Sequence, residues 1–138
     1  MIIIIFNALS SFSQEVLFPD DFTNKEIKNL NQLNLSFKNY SFDDLNFNKD
    51  LKDLAFFNAK RKQNKVWAYV FSTAGTMLLA SGLAIDSDKD LHEFKALMYI
   101  SSAAYYGISI PFFVGNIKNK KQMKKKLIFV EDKLNTLK

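Results

Sequence analysis

The densest grouping of residues able to do chemistry lies in "IDSDKDLHEFKAL", residues 85–97, which holds Asp86, Asp88, Asp90, His92 and Glu93. Carboxylates at alternate positions supply the first three ligands of a calcium loop, in which a flexible oxygen cage wraps a hard cation. Such a loop also needs glycine at its sixth position and a bidentate glutamate at its twelfth, and here those positions hold Leu91 and Leu97. Calcium is therefore not expected. His92 beside Glu93 has the chemistry of a metal ligand or a proton-transfer pair. The chain has one histidine and no cysteine, however, so there is no second nitrogen or sulfur ligand to complete a zinc site, and His92 reads as a solvated residue of a turn. Lack of cysteine also excludes disulfides and thiol nucleophiles. There is no Ser-His-acid set, no phosphate loop and no carboxylate pair in an apolar setting. The sequence assigns no catalytic, cofactor-binding or metal residue, and it predicts a protein that is not an enzyme.

The acidic stretch separates two windows that carry no charge: "VWAYVFSTAGTMLLASGLAI", residues 66–85, and "ALMYISSAAYYGISIPFFVGNI", residues 96–117. At about 1.5 Å per residue each is about 30 Å long as a helix, the thickness of a bilayer's hydrocarbon core. The mean hydropathy of −0.10 hides this segregation. Neither window shows the recurrent polar stripe of a helix on a soluble core. A soluble bundle with these two as central helices would need amphipathic partners to cover them, and the other segments are short and polar. With 138 residues the chain has room for one folding unit. The expected architecture is all-α: a transmembrane helical hairpin whose water-exposed turn is residues 86–95.

Helices in lipid associate through close approach at small residues and through interhelical hydrogen bonds. Ser72, Thr76, Ala80 and Ala84 recur every four residues on the first span, as do Ala103, Gly107, Pro111 and Gly115 on the second. These two faces are expected to meet, leaving Gly75 and Gly82 for a second copy or another subunit. At least one of Tyr105 and Tyr106 is expected to bond a Ser or Thr of the first span or a backbone carbonyl, because an unpaired donor in hydrocarbon is costly. Pro111 is expected to kink the second helix. Trp67 and Tyr69 fit an interfacial aromatic belt.

Outside the windows, Thr23 and Glu26 form a capping box that opens a short helix, and a second start signal lies at Ser41 and Asp44. A long helix is expected over 48–85, because neither Gly nor Pro separates Leu51, Leu54 and Phe57 from the first window. Residues 118–138 read as a basic amphipathic helix with a seam of Met123, Leu127, Val130, Leu134 and Leu137. Residues equally far from the membrane face each other in a hairpin, so Phe47, Leu51 and Leu54 come level with that seam, with Leu134 opposite Leu51. The hairpin is thus expected to continue into water as an antiparallel helix pair. Lys60, Arg61, Lys62, Lys65, Lys118, Lys120, Lys121 and Lys124 would form a basic collar at anionic lipid headgroups, in keeping with the net charge of +5. The alternative is a tail lying on the membrane surface. Nucleic acid is not an expected partner, because the lysines hug the ends of the windows with no aromatic platform among them.

The opening "MIIIIFNALSSFSQEV" has an apolar run followed by Ser11-Phe12-Ser13, a small-x-small pattern, so residues 1–13 read as a signal peptide and 14–47 as a polar region with short helices. Cleavage there would export both basic flanks, whereas the lysine-rich flanks by themselves favour the cytoplasmic side. The two rules give opposite orientations. The succession of "SFSQ", "KRKQNKVW", a turn and "ISIPFFVGNIKNKK" resembles a group of small, uncharacterised two-span membrane proteins of Bacteroidota with an N-terminal signal peptide. That resemblance implies export, a bacterial cell membrane and no known activity. The expected role is a non-enzymatic accessory or scaffold subunit of a membrane complex, bound to a protein partner or to copies of itself. The alternative is a small pore-forming or holin-like protein.

Overall fold

Thr23 and Asp44 set where the first two helices begin. The Thr23 side chain accepts from the Glu26 backbone while Glu26 reaches back to the Thr23 N–H at 2.7 Å, a reciprocal cap for helix α1, Asn24–Asn31. Asp44 accepts from the N–H groups of Asn46 and Phe47 at 3.0 and 3.1 Å and opens α2, Leu45–Ala84. With no Gly-Pro break to stop it, α2 runs 40 residues, about 60 Å. Helix α3, His92–Thr136, runs 45 residues and contains Pro111. The computed structural model describes residues 18–37, 40–85 and 91–136. The signal-peptide region, the Asp86, Asp88 and Asp90 triplet and Leu137 lie outside the described residues.

The fold is all-α, a hairpin of two long helices with α1 packed on α2. Four contacts fix the antiparallel register from end to end. Lys95 Nζ donates to the Ile85 carbonyl at 3.2 Å, Ser102 reaches Gly75, Lys126 reaches Asp50 and Asp53, and Lys133 reaches Asp44. Residues 92–95, expected in the turn, are the first turn of α3. Taking these residues into the helix draws α3 toward the start of α2. Leu134 therefore lies level with the first turn of α2, near Phe47, and not opposite Leu51: the expected pairing is off by more than one turn.

A seam that recurs every seven residues drifts only about 20° per repeat, which a gentle winding of the helices takes up, so two long helices can stay in contact along it. That repeat is present. Phe47, Leu54, Ala68, Gly75 and Gly82 are buried along α2 at steps of seven or fourteen, and Ser102, Ser109, Met123 and Val130 are buried along α3 in the same way. The seam changes chemistry along its length, from small residues and hydroxyls in the charge-free windows to large apolar side chains beyond them.

The apolar end of the seam belongs to a small core. Phe22, Leu30, Phe37, Phe47, Leu51, Leu54, Met123, Val130 and Leu134 are buried together, with Phe18, Ile27, Tyr40, Phe42 and Leu127 packed around them. The rings of Phe18, Phe22, Phe37 and Phe42 lie 5.2 to 6.1 Å apart in tilted and edge-on pairs. The described part of the region 14–47, expected to be polar with short helices, thus supplies through residues 18–37 and 40–44 the third wall of a packed unit. Asn58 fastens α1 to α2 by donating to the Asn29 carbonyl at 3.1 Å, and Asn48 fastens the connecting segment by donating to Phe42 O at 2.7 Å.

Candidate functional site

Two features of the hairpin are candidates for function: the polar seam inside the apolar windows and the cationic ring at their end. In the seam, Ser102 Oγ donates to the Gly75 carbonyl at 2.8 Å in a buried setting, and the Tyr99 hydroxyl points at Gly82 O at 3.4 Å. Thr76 Oγ1 lies 2.8 Å from the Tyr106 hydroxyl. A Cβ on Gly75 would lie 3.3 Å from the Ser102 carbonyl oxygen, and one on Gly82 would lie 2.8 Å from the Tyr99 ring. Both glycines let the helix backbones approach, which is the geometry that brings hydroxyls within reach of the opposite carbonyls.

This corrects the expected packing faces. Thr76 and Gly115 do face the other helix, the latter against the Asn64 side chain. Ser72 is half-buried and bonds within α2, its Oγ donating to Tyr69 O at 3.2 Å. Ala80, Ala84 and Ala103 are exposed, and a Cβ on Gly107 would meet nothing within 4 Å. The reason is periodicity: each four-residue step turns about 40° around the helix, so the stripe from Ser72 to Ala84 winds about 120° away from the seam. Gly75 and Gly82, expected to serve a second copy or another subunit, line the contact within this hairpin instead. Tyr106 meets the expectation of a hydroxyl bonded to the first span. Pro111 lies inside a helix that continues through it.

Helices α2 and α3 bring the two basic runs to one level, because Asn64 abuts Gly115 while Lys126 reaches Asp50 and Asp53. Lys60, Lys65, Lys118, Lys120, Lys121 and Lys124 are exposed there, and Arg61 and Lys62 are half-buried. Among the described residues the ion pairs involve Lys52, Lys126 and Lys133, so no collar residue has a carboxylate partner. Lys60 sits over the Phe56 ring and Lys65 over the Tyr69 ring, at 5.9 and 5.8 Å from the centroids. Trp67, Phe71 and Phe112 stack next to the collar, the ring pairs 5.7 and 5.5 Å apart. Helix α1 adds Lys28, which the sequence did not suggest. Burial first, then Arg61 and Lys28, hold the Lys62 ammonium below the usual lysine range.

The structure thus defines a class: a helical hairpin with two helices long and apolar enough to cross a membrane. No family model matches the chain, and no curated protein or solved structure matches it.

Proposed function

We propose that the chain is a small integral protein of a bacterial cell membrane that crosses it twice, with residues 66–85 and 96–117. We further propose that it serves without catalysis as an accessory or scaffold subunit of a membrane complex. The observation that carries this reading is the bareness of the apolar windows. Only 17% of the apolar window in α2 and 11% of that in α3 is buried, and Val66, Met77, Leu83, Ile100, Ile110 and Val114 are exposed. In water such a surface would be an aggregation liability; in a bilayer it is solvated by lipid. The collar would then meet anionic headgroups, and the packed unit of α1 and the helix ends would stand in water to hold a protein partner or a second copy.

A scaffold is favoured over a pore because the hydroxyls of Thr76, Ser102 and Tyr106 are engaged within the hairpin and not free to line a channel. Alkaline carbonate extraction tests the core of the proposal: the full-length chain is expected in the membrane pellet, and its release as soluble protein would overturn membrane integration. Dye leakage from cells or vesicles on expression would instead support the pore-forming reading.

A further inference from the structure

Where α1 meets the collar, positive charge is partly buried. Arg61 donates from a terminal nitrogen to Asn58 Oδ1 at 3.1 Å, and among the described residues its buried Nε has no hydrogen-bond partner and no carboxylate pairs with the guanidinium. Lys62 is bonded to Gln32 just after α1, and Asn58 is bonded to Asn29, so the last turn of α1 is clamped against residues 58–62. This brings Lys28 into the field of Lys62. Among the described residues the half-buried guanidinium and the Lys62 ammonium thus meet only neutral amide acceptors, with Lys28 one residue before the clamped Asn29, an arrangement that an anion would relieve.

We propose that Lys28, Arg61 and Lys62 form a site for one phosphate group, carried by the headgroup of an anionic phospholipid. Phosphate suits the site because a guanidinium swung out of its half-buried position can give its unpartnered Nε–H and a terminal N–H to two phosphate oxygens, with the ammonium groups as point charges beside them. The level also fits, given the membrane reading on which this proposal rests. Lys62 precedes Val66 by four residues, about 6 Å along the helix, and headgroups occupy the layer about 5 to 7 Å outside the hydrocarbon core.

The test is native mass spectrometry of the full-length chain in detergent, titrated with phosphatidylglycerol or phosphatidylcholine. Retention of phosphatidylglycerol over phosphatidylcholine is expected, weakened roughly tenfold by Arg61→Gln and less by Lys28→Gln, an exposed position on α1 whose change leaves the core intact. Lys121→Gln, in the collar but on α3, is expected to cost less than either. Equal losses in all three variants would show a diffuse field in place of a site and overturn the proposal, as would equal retention of the two lipids. Inorganic phosphate is expected not to displace the lipid; displacement would make free phosphate the occupant and overturn the lipid assignment. Carbonate extraction of the same variants reads insertion separately. A wild-type chain that inserts but shows no lipid preference would therefore count against this site alone, whereas release of the wild type by carbonate would count against the membrane reading.

Discussion

The Tyr106 hydroxyl donates to Thr76 Oγ1 across the two apolar windows. Their oxygens are 2.8 Å apart, and the direction follows because the Thr76 hydroxyl gives its own proton to the Ser72 carbonyl at 2.9 Å. A relay of this kind satisfies two hydroxyls at once where no water is at hand. Tyr106→Phe and Thr76→Val, made singly and together, are expected to show a coupling of about 1 kcal/mol in thermal unfolding in detergent. Strict additivity would mean that the bond contributes nothing.

Gly75→Leu is expected to destabilise the hairpin by roughly 2 kcal/mol, because a side chain there meets the Ser102 backbone, which cannot move aside. Gly107→Leu is expected to be neutral or to stabilise by up to about 1 kcal/mol, since its position is open and glycine is a poor helix former. Melting temperatures in one detergent compare the two directly. The reverse order would place the interface on the other face of α3.

Leu134 is 8% exposed in the apolar core, and Ile128 is 67% exposed on the same helix. Leu134→Asp is expected to cost roughly 2 kcal/mol or more by holding a carboxylate among apolar side chains, and Ile128→Asp next to nothing. Limited trypsin digestion would report this as faster cutting over residues 118–133 in the first variant only. Equal cutting of wild type and Leu134→Asp would show that the helix ends do not pair.

The water-exposed unit is expected to be most stable at intermediate pH. The hydrogen bond from Lys133, aided by the Phe47 N–H, holds the Asp44 carboxyl below its ordinary 3.8. Its contribution is complete above 3.8 and is lost as pH falls through the depressed folded value. On the alkaline side, burial and then Asp44 push the Tyr40 hydroxyl up to about 12 from 10.0, so stability declines as pH rises through that interval. Lys126, raised above 10.5 chiefly by its bond to Asp50, adds to the same decline. Near-ultraviolet circular dichroism of the aromatic cluster should show both limbs. Lys133→Gln should flatten the acid limb, and Tyr40→Phe should flatten the alkaline one.

Features that depend on runs and neighbours along one chain are legible without a structure. Charge-free windows of bilayer length, the Thr23–Glu26 cap, the Asp44 start signal and the collar lysines of α2 and α3 can all be read without knowing what lies across the hairpin, because each is a local or one-dimensional property. Tertiary structure decided the rest. Which small residues face inward depends on two helices staying in contact over many turns, and that selects the seven-residue spacing of Ala68, Gly75 and Gly82 over the four-residue spacing of Ser72 to Ala84. The register at Leu134 depends on how much of the turn α3 absorbs. The aromatic core has no periodic signature, because Phe18, Phe22, Phe37 and Phe42 come from irregular backbone and converge only when α1 folds back on α2. For the same reason Lys28, more than 30 residues before Lys62, joins the collar only in three dimensions.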